Sequence, residues 1–318
     1  MTNSLPFPHD WWRQWQWRDE LVSYVICPAE SSPAMTPSEQ EAVILVHGFG
    51  ACKEHWRHTI GPLASHHTIF ALDLLGFGAS SKPRARLEDE PEESGSCRYG
   101  IDLWATQVVA FIASEVKMPV TLVGNSIGGV VALRVAQLLE EAGQPARRVV
   151  LVDCAQRAID DKRLDEQPQL RKFGRPLLKG LIRQRWLTRL LFSQLSQPGV
   201  IRRVLGAAYP SGANVDDQLV AALVQPTQLP GAAEAFHGFA NLFNDRLAPD
   251  ILENLQTPVH MIWGEMDPWE PVSEARRWSA YSCVQSLEVL PGLGHCPHDE
   301  APERVNPILL KILNQIPE

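Results

Sequence analysis

Residues 122–133 read LVGNSIGGVVAL, and this stretch more than any other limits what the chain can fold into. An apolar run with β-branched residues enters it, and a run of helical period leaves it. Gly124, Gly128 and Gly129 stand around Ser126. A strand that becomes a helix within about two or three residues needs backbone room that glycine gives, and the turn leaves the serine projecting at the carboxyl edge of a sheet. The first amides of the helix face the same point and favour negative charge there. The stretch asks for a sheet with a helix packed back on it, and it offers a nucleophile.

The rest of the chain supplies that sheet. AVILVHG (42–48), TIFALDL (68–74), PVTLVG (119–124), RRVVLVD (147–153), PVHMIWG (258–264) and SLEVLPG (286–292) read as buried strands. Helical periodicity fills IDLWATQVVAFIASEV (101–116) and IGGVVALRVAQLLEEAG (127–143). Alternating strands and helices predict an α/β fold with a mostly parallel sheet covered on both faces. Trp15 and Trp17 alternate with Gln16, as on a strand with one buried face, which predicts an edge hairpin running on through LVSYVIC. From 156 to 248 the strands give way to helical pieces. The expected organisation is a core in two parts, 1–155 and 249–318, with a helical cap inserted at 156–248; a length of 318 residues suits one core with an insertion.

A serine hydroxyl is a weak nucleophile that needs a base, and the base needs an acid to fix its tautomer. Behind a nucleophile elbow the chain order is serine, acid, histidine. Asp267 in MIWGEMDPW follows the strand at 258–264, and His295 in LPGLGHCP follows the strand at 286–291. Glu265 and Glu270 flank the acid, and Asp153 closes an earlier strand; Asp267 is the expected member. The loop His47-Gly48-Phe49-Gly50 reaches the same sheet edge, so the backbone amides of Phe49 and Ile127 are the expected oxyanion donors. Asp73 reads as a structural acid for the loop that follows it.

GLGHCPHDE (292–300) places His295 and His298 three residues apart. A zinc site asks for suitably presented ligands and a third group, whereas Pro297 separates these histidines in a turn, so no metal is expected. His298, Asp299 and Glu300 are expected to organise the start of the helix APERVNPILLKIL.

A net charge of −8 argues against general nucleic-acid affinity. The six scattered cysteines form no C-x-x-C pair and read as reduced thiols. MTNSLPFPHDWWRQWQWRDE has neither a basic start nor an apolar run, so a soluble, cytoplasmic protein is expected. LEDEPEESGS (87–96) reads as a solvated acidic loop. The stretch from Arg171 to Arg203 holds no acid; it carries Lys172, Arg175, Lys179, Arg183, Arg185, Arg189 and Arg202 beside an apolar stripe of Leu177, Leu178, Leu181, Ile182, Trp186, Leu190 and Leu191. Two uses fit the stripe: covering the active site, or docking transiently on an anionic lipid surface.

VILVHGFGACKEHW, ALDLLGFGASSKP, LVGNSIGGVVAL, WGEMDPWEPV and GHCPHDEAPERVNPIL together resemble the α/β-hydrolase superfamily. WGEMDPWEP paired with GHCPHDEAPE, and NVDDQLVAALVQP with GAAEAFHGF in the insertion, are similar to the pheophytinase-like hydrolases of plastids and cyanobacteria. The resemblance implies an eight-stranded, mostly parallel sheet with a helical cap. It implies Ser126, Asp267 and His295 as a triad, Phe49 and Ile127 as oxyanion donors, and no cofactor. The activity it implies is hydrolysis of an apolar carboxylic ester, such as a lipid ester or the phytyl ester of a chlorophyll-type pigment. Gly124-Asn125-Ser126 also occurs in hydrolases that cleave carbon–carbon bonds of ring-fission products, so that reaction stays open. A non-catalytic homologue that keeps the fold as a pocket is the contrasting class; such proteins lose a triad member, and this chain has a candidate for every role.

Overall fold

A computed structural model describes residues 7–30, 41–158, 160–167 and 169–315. Its strands are β1 (Trp12–Trp17), β2 (Glu20–Cys27), β3 (Ala42–Val46), β4 (Thr68–Leu72), β5 (Arg84–Ala85), β6 (Ser96–Cys97), β7 (Val120–Asn125), β8 (Arg148–Val152), β9 (Val259–Gly264) and β10 (Val284–Leu290). β5 and β6 pair only with each other; the other strands form one sheet in the order β1-β2-β4-β3-β7-β8-β9-β10. β1 and β2 form an antiparallel hairpin, β2 joins β4 antiparallel, and every later pairing in this sheet is parallel. The strand order reverses at β3 and β7. Open α/β sheets build their sites at the carboxyl ends beside such a switch point.

The central strands read as apolar runs because both faces are covered. Ala42, Ile44 and Val46 of β3 face one buried cluster, and Val43 and Leu45 face the other. The first cluster lies beneath α2 (Ile101–Phe111) and α3 (Ile127–Glu141). The second lies beneath α1 (Ile60–Ala64) and α12 (Pro302–Leu313). The end strand β10 departs from the fully buried strand expected, since Gln285 and Glu288 are exposed on this sheet edge. The tryptophan hairpin uses both faces rather than one. Trp15 meets Phe111 edge to face at 5.5 Å, whereas Trp11 and Trp12 pack on the opposite cluster, with the Lys53 ammonium 4.4 Å from the Trp12 ring.

Between β8 and β9 the described residues contain helices and no strand. These are α4 (Gln169–Ile182), α5 (Arg185–Leu195), α6 (Pro198–Ala208), α7 (Asp217–Val224), α8 (Ala232–Ala240) and α9 (Ala248–Leu252). α10 (Val272–Trp278) follows β9, and α11 (Pro297–Glu300) precedes α12. Among the described residues no helix is long and apolar enough to cross a membrane.

Candidate active site

β7 turns into α3 at Ser126, whose φ of +55° lies in the region that side-chain-bearing residues rarely adopt. The glycines around it answer to close packing of helix on strand. A Cβ on Gly124 would sit 2.2 Å from the Gly128 carbonyl oxygen, and one on Gly128 would sit 2.4 Å from that of Val46. The Ser126 amide donates to the Val152 carbonyl at 3.0 Å, and the Gly129 and Ala155 amides donate to the Ser126 carbonyl at 3.0 Å. The serine backbone is thus fastened to both neighbouring elements.

Asp267 and His295 meet at this edge. His295 Nδ1 lies 2.7 Å from Asp267 Oδ2, while Asp267 Oδ1 accepts the amides of Trp269 at 2.8 Å and Glu270 at 3.0 Å. Burial opposes the Asp267 charge, but the hydrogen bond and charge of His295, with the two amides, hold its carboxyl below the usual range. Ser126 Oγ has no hydrogen-bond partner among the described residues, so the third link of the expected triad is not closed in this conformation. Such bonds commonly tighten only when substrate is bound.

The competing acids behave differently. Asp153 is fully buried and its carboxyl is pushed well above the usual range, first by burial and then by the Asp267 charge. Burial, reinforced by Asp267, lifts Glu270 to about 8; its Oε2 accepts the Gln156 amide at 2.8 Å. Only Asp267 among these three contacts the imidazole.

Several groups that hold the histidine loop escaped sequence reasoning. The His295 amide donates to the Ala208 carbonyl at 2.9 Å, at the end of α6. Asn125 Nδ2 donates to the carbonyls of His295 and Val152, each at 3.1 Å. Glu300 Oε2 accepts the Gly294 amide at 2.8 Å, and its Oε1 accepts the amide and hydroxyl of Ser211 at 2.8 and 2.6 Å. The expectation that His298, Asp299 and Glu300 start the last helix therefore needs correction. They belong to α11 instead, and α12 begins at Pro302, with Ala301 at its N-cap and no side-chain cap. Asp299 takes Arg57 Nε at 2.9 Å and the Tyr209 hydroxyl at 3.1 Å. His298 is fully buried, with its ring 4.2 Å from Trp56, whereas His295 turns toward Trp269. Among the described residues no group of three or more His, Cys, Asp or Glu side chains is placed to hold a metal ion.

Of the expected oxyanion donors, Phe49 lies in the loop after β3 and Ile127 at the first position of α3. No hydrogen bond from the Phe49 amide to a backbone carbonyl is seen among the described residues outside helices and strands. The loop rests on Asp73, whose carboxylate accepts the Lys53 amide at 2.8 Å, the Lys53 ammonium at 2.7 Å and the Ala79 amide at 2.8 Å. The Phe49 ring stacks on Phe239 at 3.7 Å and meets Phe77 edge-on at 5.8 Å. A small cavity of about 60 Å³ opens beside it, lined by Phe77, Phe192, Leu223, Phe236 and Lys82 among others. A larger cleft, about 510 Å³, lies elsewhere; it is lined by charged groups such as Arg86, Arg98, Asp161 and Arg246 and by none of Ser126, Asp267 and His295.

The family model for the alpha/beta hydrolase family matches residues 43–308. The chain belongs to that family. It is 28% identical over 296 residues to the chloroplastic pheophytinase of Arabidopsis thaliana, covering 83% of this chain and 59% of that protein's length. A 2-hydroxy-6-oxo-6-(2'-aminophenyl)hexa-2,4-dienoic acid hydrolase of Metapseudomonas resinovorans is 36% identical over 105 residues, which is 32% of each chain. The crystal structure of a probable hydrolytic enzyme from Pseudomonas aeruginosa PAO1 superposes with a TM-score of 0.71 at 20% identity, covering 96% of this chain and 94% of that one. That likeness speaks to the fold, an α/β-hydrolase sheet.

Proposed function

We propose that this hydrolase is a serine esterase that cleaves an apolar carboxylic ester through an acyl-enzyme. The observation that carries the reading is the Asp267–His295 hydrogen bond of 2.7 Å at the sheet edge that presents Ser126. Ser126 Oγ attacks the ester carbonyl while His295 Nε2 takes its proton, and Asp267 holds the opposite ring nitrogen in the required tautomer. The amides of Phe49 and Ile127 receive the oxyanion. His295 returns the proton to the leaving alcohol, then activates the water that releases the acid. The aromatic wall of Phe49, Phe77, Phe236 and Phe239 suits an apolar substrate, and the likeness to pheophytinase supports a phytyl or other long-chain ester.

Carbon–carbon bond hydrolysis of a ring-fission product is the second reading. The partial likeness to the dienoic acid hydrolase supports it, and Lys82 places a cation beside the cavity for a substrate carboxylate. Against it, Lys82 Nζ already donates to the carbonyls of Gly78 and Ser80, and burial lowers its proton affinity to about 8. Labelling by a fluorophosphonate probe tests the nucleophile, and a panel of short and long p-nitrophenyl esters, acylglycerols, phytylated pigments and a dienoate tests the substrate. An unlabelled Ser126 in folded protein overturns the serine reading; turnover of the dienoate alone selects the second.

The cap bears on delivery. We propose that its outer face rests on a lipid surface. Leu177, Leu178 and Leu181 of α4, with Trp186, Leu190, Leu191 and Leu195 of α5, are exposed. Phe192 of the same α5 lines the cavity beside Phe49, so one helix spans from outer face to substrate route. The stretch 171–203 has no acid of its own, yet its cations pair with acids from elsewhere. Arg183 meets Asp89, Arg185 meets Glu90 and Glu234, Lys179 meets Asp161, and Arg202 meets Asp217. Apolar insertion is therefore the main attraction and charge the lesser one.

A further inference from the structure

Asp153 is a buried acid beside Asp267 that the proposed reaction leaves unused. It follows β8 with a positive φ of 44°. Its Oδ1 accepts the Gly264 amide at 2.9 Å, while Oδ2 is buried with no partner among the described residues. A buried carboxylate oxygen with no donor is costly. Among the described residues no Lys, Arg or His forms an ion pair with it. Asp267 adjoins the same Gly264, its amide donating to the Gly264 carbonyl at 3.3 Å, and its charge acts on Asp153; Glu270 lies on the same loop, and Cys154 is the next residue. Asp267 meanwhile has Oδ1 filled by two amides and Oδ2 by His295. Two adjoining carboxyls in such a site do not both ionise.

We propose that Asp153 is a neutral carboxylic acid whose Oδ2–H donates a hydrogen bond to the Asp267 carboxylate, making it a positioning residue for the triad acid. The orphaned oxygen then becomes a donor, and each acid has a complete set of partners. The upward push on Asp153 and the downward hold on Asp267 agree with this division of roles. The functional part of the proposal rests on Asp267 being the triad acid. Asp153 acts through it by fixing its plane against the imidazole and by sharing its negative charge.

The test uses the full chain and two substitutions. Asp153→Asn keeps an acceptor for Gly264 and an N–H donor for Asp267 in nearly the same shape. Asp153→Ala removes both. Asp153→Asn is expected to keep kcat within about threefold of the parent, and Asp153→Ala to lower kcat by about ten- to hundredfold with KM little changed. The infrared carbonyl band of a protonated carboxyl is followed at pH 9 in a Glu270→Gln background, where Glu270 cannot contribute. That band should be present with Asp153 and lost in Asp153→Asn. A band that survives Asp153→Asn overturns the proposal, as does an Asp153→Asn variant as slow as Asp153→Ala. If ester hydrolysis is absent altogether, the esterase reading fails on its own, and the infrared band still decides where the proton sits.

Discussion

The sheet edge and the cap solve opposite problems with the same residue types. At the edge, Asp267 is buried and each of its oxygens is filled by an amide or an imidazole. On the cap, Arg183 and Arg189 are largely exposed and meet their acids at the surface, while leucines beside them face outward. Buried charges with complete partners are held in one geometry, because leaving any one unpaired is expensive. Exposed pairs contribute little to stability and yield readily. The edge is therefore built for fixed distances and the cap for an adaptable surface.

The contrast breaks first at the nucleophile. Ser126→Ala and His295→Ala are each expected to lower turnover by about 10⁶-fold while the protein stays folded; near-normal ester turnover by Ser126→Ala, with intact circular dichroism, removes the edge from the chemistry. Next is a pH effect. The ordinary carboxyl value of 4.5 for Glu270 is raised by burial to about 8 in the fold, so the folded state keeps a proton that the unfolded chain has released. Stability should thus fall as pH rises from about 4.5 to 8; the Glu270 share of that fall, roughly 3–5 kcal/mol, is lost in Glu270→Gln, whereas the share due to Asp153 remains. Urea unfolding of both proteins at pH 5 and pH 9 measures it; equal pH dependence in the two shows that Glu270 is not the group responsible.

Glu300→Ala should cost about 1–3 kcal/mol, since it strips the buried Gly294 amide of its acceptor and releases Ser211. It should also lower kcat on a short soluble ester, which a purely local loss would not do. The smallest effect on stability belongs to the cap. Joint Leu177→Ser, Leu181→Ser, Trp186→Ser and Leu190→Ser should leave the unfolding midpoint and short-ester turnover unchanged but weaken cosedimentation with phosphatidylglycerol vesicles by about tenfold or more. Arg183→Glu with Arg189→Glu should weaken it less. A parent protein that stays in the supernatant at low salt ends the lipid-docking proposal.

What the sequence made legible follows from the reach of each signal. The strands around Ser126, Asp267 and His295 announce themselves locally, through apolar runs that stop at glycine or an acid. The groups that hold His295 do not. Asn125 reaches 170 positions along the chain to the His295 carbonyl, and Glu300 reaches 89 back to Ser211. No short pattern encodes such a meeting. The acidic loop and the basic cap stretch show the same limit. Read separately, one looks solvated and the other lipid-seeking, whereas Asp89 and Glu90 in fact pair with Arg183 and Arg185. β10 was placed correctly, but an apolar run cannot tell an end strand from a central one.

The tie at Glu300 has an engineering consequence. One carboxylate holds both Gly294, just before His295, and Ser211, between α6 and α7, and the α6 terminus itself accepts the His295 amide. Exchanging the cap with that of a relative is therefore not a modular graft. A donor cap with no hydroxyl to match Ser211, or with α6 ending half a turn away, would retune the imidazole along with the substrate. Chimeras should be cut to carry α11 together with the cap, so that the cap can be transplanted without displacing His295.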